Sequence, residues 1–279
     1  MKVHYLQSLA VTVLLVASAT ASFAGAWTAP KGAFYDKAAF NYYYSHESFD
    51  TSGVRRGTPN NGTFTDYNFS NYFEYGLLDN LTVVNSLTYK WLENEDNSQR
   101  TKGYGLGDAD LGVRYKLLDH GTFGIISSQV LVKIPGPYDR KDVLPLGNGQ
   151  VDTELRLQYG RSLYPLIPGY GNVEIGYRWR AEDPSDEIRY LAEFGVDVTK
   201  AFYTRAKLDG ILSVNNGKKR DTSGNPTTTN NFDLGRLDLT VGYKAAPGWG
   251  VEASYVPSVF GQNTAAGATY TLAFYLKTP

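Results

Sequence analysis

Apolar and polar residues alternate with a period of two along much of the chain. Between residues 109 and 117 the odd positions hold Ala, Leu, Val, Tyr and Leu, whereas the even positions hold Asp, Gly, Arg and Lys. Residues 151–159 and 173–179 repeat this alternation. Because successive side chains of a β-strand point to opposite faces, each stretch has one apolar face and one charged face.

The same pattern predicts twelve antiparallel strands. Most are nine to thirteen residues long, close to what a tilted strand needs to cross a bilayer. In the fifth strand isoleucine and valine occur at both odd and even positions, so the alternation does not determine which of its faces points inward. The predicted strands are 37–46, 66–77, 81–92, 107–117, 122–134, 150–159, 172–180, 188–198, 201–213, 232–244, 249–256 and 267–277.

The connections alternate between long and short. Polar loops at 47–65, 93–106 and 214–231 are followed by tight turns such as 78–80 and 118–121. Outer-membrane barrels have long extracellular loops and short periplasmic turns, which this order matches. The connection 160–171 is an exception, since it is long and apolar yet falls on the periplasmic side.

Two all-β folds fit this alternation, an up-and-down transmembrane β-barrel and a secreted β-sandwich. Strands of soluble sheets are usually five or six residues long, about half the predicted length. Aromatic residues also lie near strand ends on the apolar face, as in the interfacial girdles of membrane barrels. These observations favour the barrel, with interface aromatics at Tyr42, Tyr44, Tyr89, Trp91, Tyr177, Trp179, Trp249 and Tyr255.

The first residues read as an export signal. Lys2 is followed by an apolar run over residues 9–24, and small residues close it. We expect cleavage after Ala26, which leaves a barrel domain of residues 27–279; cleavage after Ala21 is the alternative, and a membrane-anchor helix is a third interpretation. With the strand pattern, this signal predicts the outer membrane of a Gram-negative cell.

Composition narrows the function. The chain has no cysteine, which excludes a lipoprotein, a disulfide scaffold and a thiol enzyme. Its 27 Lys and Arg balance 28 Asp and Glu, which argues against nucleic acid as a partner. No apolar stretch after the leader approaches the length of a transmembrane helix. We therefore expect no cofactor, with lipid, the barrel assembly machinery and a small solute as partners.

The charged parity of each strand should face the lumen, because a charge facing lipid is costly. Twelve strands close to a backbone diameter of roughly 24 Å, so long side chains would leave a narrow opening or none. Balanced charges predict weak ion selectivity. The lumen-lining candidates are Glu74, Lys90, Asp108, Asp110, Arg114, Lys116, Asp152, Glu154, Arg156, Glu174, Arg178, Arg189, Glu193, Arg205, Lys207, Arg236, Asp238 and Glu252.

Two local features bear on how open the barrel is. The apolar rings of residues 27–37 precede the first strand, and we expect this segment to fold into the lumen as a short plug. If hydrophobic solutes pass, a lateral opening is expected near the glycines at 103–107 or at the irregular fifth strand.

The fourth strand carries a resemblance to a known family. Residues 103–118 read GYGLGDADLGVRYKLL, and a tight turn over 76–81 and a late strand at 241–243 accompany them. This pattern resembles the outer-membrane family labelled as a meta-pathway phenol-degradation transporter. The resemblance implies a channel for aromatic or other small hydrophobic compounds. The chain departs from the usual barrel pattern in ending Lys-Thr-Pro, although the last strand holds Tyr270, Phe274 and Tyr275.

Two other function classes remain open. A barrel hydrolase needs a histidine beside a nucleophile or acid, and only His46 and His120 follow the leader. Two isolated histidines also offer no metal site. A structural, adhesion or assembly barrel would bind a partner through the polar loops 47–65 and 214–231. The residues favour a porin-like channel, but they name neither its solute nor its oligomeric state.

Overall fold

The structure is a computed structural model that describes residues 25–218 and 230–278. The leader prediction falls almost wholly outside these residues, so cleavage after Ala26 stays a prediction. Part of the loop 214–231 also lies outside them. No helix in the part of the chain described is long and apolar enough to cross a membrane.

The alternating stretches form strands, with one 3₁₀ turn at Pro59–Asn61. In chain order the strands of the described residues are β1 (Phe34–Ser45), β2 (Glu47–Phe49), β3 (Arg55–Gly57), β4 (Thr63–Leu78), β5 (Leu81–Glu95), β6 (Arg100–Leu106), β7 (Ala109–His120), β8 (Gly124–Ile134), β9 (Asp152–Ser162), β10 (Gly169–Arg180), β11 (Glu187–Asp197), β12 (Phe202–Ser213), β13 (Asp233–Ala246), β14 (Trp249–Gln262), β15 (Thr264–Ala265) and β16 (Ala268–Lys277).

Twelve of these strands close into a ring. Around the ring the order is β1, β4, β5, β7, β8, β9, β10, β11, β12, β13, β14 and β16, and β16 pairs with β1 again. Every pairing is antiparallel, so the wall is an up-and-down barrel and the predicted fold class is confirmed. Closure leaves no free sheet edge in the wall, which a strand structure in lipid requires.

The two faces of the wall differ as the alternation predicts. Outward side chains such as Val241 and Leu272 are 55% and 67% exposed, whereas their inward neighbours Thr240 and Ala273 are buried. An apolar outer face this extensive needs lipid around it. The protein is therefore an outer-membrane barrel, and the short turns mark its periplasmic end.

The wall settles the face of the fifth barrel strand. Ser127, Gln129 and Lys133 on β8 are buried inside, whereas Val130 and Ile134 are exposed outside. The connection 160–171, which was too long for a periplasmic turn, is shorter in the structure because β9 reaches Ser162 and β10 starts at Gly169. A short periplasmic turn remains there.

The predicted loop over 93–106 is wrong. β5 continues to Glu95, and β6 folds back on it with Trp91 opposite Tyr104. β5 thus pairs with β6 along its extracellular part and with β7 along its periplasmic part, and Gly107 and Asp108 connect these two partner strands. Polar residues occupy both faces of this hairpin because it extends beyond the bilayer, where no apolar face is required. The small sheet of β15, β2 and β3 likewise lies outside the predicted strands, with β2 and β3 in the predicted loop 47–65 and β15 between the last two predicted strands.

Candidate functional site

Buried ion pairs cross between neighbouring strands inside the barrel. Arg114 on β7 lies with its Nη2 atom 3.1 Å from Oε1 of Glu74 on β4, and both side chains are almost fully buried. The Nε atom of Arg114 also donates to Gln129 on β8 at 3.1 Å. Charges in such a position require a partner, so this group fixes β4, β7 and β8 against each other.

A second cluster lies on β9 and β10. Arg156 donates from Nη1 to Glu174 at 2.7 Å, and Arg178 donates from Nε to Glu154 at 2.8 Å. Glu154 also accepts from Nε of Arg156 at 2.7 Å. Each carboxylate thus meets charged donors, which makes these hydrogen bonds short and strong.

A third cluster joins β1, β12 and β14. Glu252 accepts from Lys37 at 3.4 Å and from Arg205 at 3.4 Å, and the hydroxyl of Tyr203 donates to it at 2.7 Å. Lys207 lies 3.3 Å from Asp238 on the neighbouring strand β13. Inward charges therefore pair around most of the wall.

The predicted lumen residues lie at three levels of burial. Buried ones are Glu74, Arg114, Asp152, Glu154, Glu174, Arg178, Asp238 and Glu252; half-buried ones are Lys90, Asp108, Asp110, Lys116, Arg156, Arg189, Glu193, Arg205 and Lys207; Arg236 is exposed. Arg236 still pairs with Asp209 at 2.6 Å. Lys116 pairs with Asp119 near the periplasmic turn, away from the clusters. Whether any of them contacts a solute stays a prediction.

The alternation missed Lys133 and Glu187. Lys133 lies on β8, the strand without a clear parity, and its Nζ atom is 2.6 Å from Asp152 and 3.4 Å from Asp108. Glu187 begins β11 one residue before the predicted start and accepts from Arg180 at 2.7 Å. The buried acids on β9 were the signal that could have found Lys133, because they require a basic partner.

Residues 25–33, termed here the N-terminal strap, lie inside the periplasmic end of the barrel. The amide of Ala29 donates to Thr82 on β5 at 2.8 Å, and the amide of Ala26 donates to Asn172 on β10 at 3.2 Å. Arg114 donates to the carbonyl of Trp27 at 2.9 Å. The strap thus crosses from β5 to β10, four strands further around the ring.

The predicted plug is confirmed for residues 27–33, whereas Phe34–Lys37 belong to β1. Gly76 on β4 shows why a residue without a side chain is needed beside the strap. A Cβ atom on Gly76 would lie 2.0 Å from the carbonyl oxygen of Pro30.

A pocket of about 190 Å³ remains beside the strap at the periplasmic end. Trp27 borders it and packs edge-on against Tyr170 with ring centroids 5.6 Å apart. Lys244 and Asp197 pair at its rim at 2.6 Å. The aromatic residues that line this ring-lined pocket are Trp27, Tyr35, Tyr164, Tyr170, Tyr203 and Tyr275.

The centre of the lumen holds a larger cavity of about 410 Å³. It lies among the ion-pair clusters, between Arg156 and Arg178 on one side and Lys37 and Arg205 on the other. Gly25 of the strap also borders it. This central cavity is polar, in contrast to the ring-lined pocket below it.

The connection 135–151 covers part of the extracellular mouth. Leu144 and Leu146 are buried against Leu92 on the inner face of β5. Tyr138 donates its hydroxyl to Asp108, and burial together with this hydrogen bond raises the pKa of Tyr138. A Cβ atom on Gly103 would lie 2.7 Å from the carbonyl of Leu144, so the glycines of β6 make room for this loop.

The two histidines lie apart from the lumen clusters. His46 packs near the ring of Tyr44 at 5.8 Å, and His120 packs near Phe123 at 4.9 Å. Within residues 25–218 and 230–278, no group of three or more acidic or histidine side chains could hold a metal ion.

Aromatic side chains occupy the outer face near both ends of the wall. Tyr42 stacks on Tyr67 at 4.9 Å, and Trp249 packs on Phe274 at 5.7 Å near the periplasmic end. The other predicted interface residues also lie on strands of the wall, with Tyr44, Trp91, Trp179 and Tyr255 exposed and Tyr89 and Tyr177 partly exposed. Their contact with the bilayer interface stays a prediction.

An apolar exterior, a charged interior and a closed ring of twelve strands define an outer-membrane β-barrel. The chain is similar to the COG4313 outer membrane channel from Pseudomonas putida F1, with 14% identity and a TM-score of 0.70 over 91% of this chain and 98% of that chain. It is also similar to the NanC porin, with 9% identity and a TM-score of 0.56 over 87% of this chain and 100% of that chain.

These likenesses show the fold. No family model and no curated protein matches the chain in sequence. The resemblance of residues 103–118 to a family of outer-membrane barrels agrees with this fold.

Proposed function

We propose that the protein is an outer-membrane channel for small solutes, including aromatic and other hydrophobic compounds with a single ring. The observation that carries the proposal is the ring-lined pocket between the strap and the wall. A cavity of roughly 150 Å³ lined by apolar groups takes up benzene. The pocket of about 190 Å³ therefore matches a one-ring solute.

The surroundings of the pocket support a path through it. The strap fills the periplasmic mouth next to β5, β7 and β8, and the pocket is lined by β1, by the strands from β9 to β14 and by β16. The central cavity lies on the extracellular side of this pocket. The two similar structures are described as an outer membrane channel and a porin, which supports the same class of function.

The proposal includes no catalytic step. His46 and His120 each contact an aromatic ring. We infer that charged side chains in the lumen hold the wall together and guide solutes.

The first test is the conductance of the refolded protein in a planar bilayer. We expect a small steady current for a chain that begins at Gly25. Deleting residues 25–32 should raise the conductance several-fold, because this removes the strap but leaves β1 intact. Heat-modifiable migration on a gel verifies that both proteins are folded. An unchanged conductance after the deletion would contradict a strap that restricts the path.

The second test fills the pocket. Ser162 points inward on β9 and lines the pocket, whereas the neighbouring Arg161 points outward. Cells that carry Ser162→Trp should take up a single-ring compound several-fold more slowly, while Arg161→Trp serves as the matched control. Equal uptake by the two variants would overturn the assignment of the pocket to the solute path.

A further inference from the structure

The charges that face the central cavity are not balanced, although the inward charges of the whole wall are. Seven Lys and Arg side chains border the cavity, against three Asp and Glu. The three acids are Asp110, Glu174 and Glu193. The remaining carboxylates of the clusters, such as Glu154 and Glu252, lie behind the bases, against the wall.

The depth of four pairs shows the same asymmetry, whereas Asp110, 33% exposed beside Arg178 at 8%, is an exception. In these four pairs the basic side chain keeps 20% to 27% of its surface exposed, while the paired carboxylate keeps only 4% to 11%. At these four pairs a solute in the cavity therefore touches an ammonium or guanidinium donor before it reaches the acid. The four pairs are Lys37–Glu252, Arg156–Glu174, Arg189–Glu187 and Lys207–Asp238.

We infer that the central cavity is a binding site for the anionic group of a small solute, such as a carboxylate. Coulomb attraction falls with distance, so exposed cations outweigh acids that lie further behind them. Guanidinium and ammonium groups also donate charge-assisted hydrogen bonds to a carboxylate. The inference rests on the proposed channel function, and it replaces the weak selectivity expected from the balanced sequence with a preference for anions.

Arg189 and Lys207 are suited to a test because their partners keep other contacts. Glu187 still accepts from Arg180 at 2.7 Å. Asp238 still accepts from Thr240 at 2.6 Å. The double variant Arg189→Gln with Lys207→Gln should therefore fold. Its matched control is Arg140→Gln with Lys141→Gln, which removes the same charge from the extracellular loop 135–151.

The measurement is the reversal potential of the refolded protein in a planar bilayer under a gradient of potassium chloride. The wild-type protein and the loop control should prefer chloride several-fold, and the lumen variant should lose most of this preference. Benzoate and benzamide then serve as probes of equal size and different charge. Benzoate should reduce the current at a several-fold lower concentration than benzamide, and the lumen variant should abolish this difference.

The outcomes separate the two proposals. A current without anion preference, blocked equally by benzoate and benzamide, would overturn the anion site and leave the channel intact. The same loss of preference in lumen variant and loop control would also overturn it. A folded protein that carries no current even without residues 25–32 would overturn the channel function, and the anion site with it.

Discussion

At the scale of single residues, buried ion pairs hold neighbouring strands of the wall together. Arg114 contacts Glu74, Gln129 and the strap, so one guanidinium joins three strands and a segment outside the wall. Such a pair adds little compared with apolar packing, but the loss of one partner leaves an uncompensated charge. Positions of this kind should therefore tolerate single substitutions poorly.

Arg114→Met should lower the free energy of unfolding by about 3–5 kcal/mol, because it leaves the Glu74 carboxylate buried without its cation. Urea unfolding in phospholipid vesicles, followed by tryptophan fluorescence, measures the change. Lys116→Met is the control on the same strand, since its pair with Asp119 is partly exposed and worth at most about 1 kcal/mol. Equal losses in the two variants would contradict a special role for the buried pair.

The contacts of Ala26 bear on where the leader is cut. Its amide donates to Asn172 and its carbonyl accepts from Ser127, and both contacts are buried. A cut after Ala26 would remove them and place a new ammonium group next to Arg114. Ser22 and Ala24 offer the same small-residue pattern two positions earlier. These contacts favour a cut after Ala24 over the cut after Ala26 that the sequence alone predicts, so the revised prediction is a mature protein that begins at Gly25.

The intact mass of protein isolated from outer membranes tests this expectation. A chain that begins at Trp27 would be lighter by one glycine and one alanine residue and would contradict it. Ser22→Leu should prevent the cut before Gly25, because it enlarges the residue three positions before the bond. Phe23→Leu, at the neighbouring position, should leave the cut unchanged.

Much of the interior could be predicted from residue parity alone. Parity predicts the eighteen lumen candidates because lipid disfavours charge on the other face, and outward charges such as Arg161 lie near strand ends. Lys133 was missed because its strand has aliphatic residues on both faces, including Leu131, which is buried inside. Parity also states that a side chain points inward, but not which partner it meets across the strands.

At the scale of elements, β6 and the loop 135–151 depend on each other. Leu144 and Leu146 reach the inner face of β5 only because glycines on β6 leave space for the loop backbone. The sequence shows the glycines but not the segment that approaches them. Contacts between segments so far apart in the chain carry no local pattern, so neither the hairpin nor the folded loop could be predicted.

Gly103→Val should displace the loop 135–151 from the extracellular mouth. The new side chain would clash with the carbonyl of Leu144, which lies 2.7 Å from a Cβ atom at this position. Trypsin should then cut after Arg140 or Lys141 several-fold faster in folded protein. Tyr104→Val, which changes an exposed outward residue on the same strand, provides the comparison. Equal digestion of the two variants would speak against the packing described.

At the scale of the whole molecule, the bilayer requires one face of every strand in the wall to be apolar. Twelve strands could be predicted from one sequence because each repeats the same constraint, independently of its neighbours. The strap lies inside the barrel, and the sheet of β15, β2 and β3 lies beyond the bilayer on the extracellular side. No common rule acts on them, and their positions follow from particular hydrogen bonds.

Val241→Arg should destabilise the barrel in a membrane by about 2–4 kcal/mol, since it places a cation on the lipid face near the middle of β13. Unfolding in vesicles measures the loss. The same change at Val143, an exposed residue of the loop 135–151, should have almost no effect. A comparable loss at both positions would argue that the outer face does not meet lipid.

The strap also has a mechanical consequence for the ring. A closed ring of twelve strands resists stretching along its hydrogen bonds. Its cross-section flattens easily, because flattening only requires the strands to bend together. The hydrogen bonds from the strap to Thr82 and Asn172 connect two distant points of this ring across the lumen. Release of the strap would therefore free the cross-section to become oval, and a change in bilayer tension would alter its shape as well as its width.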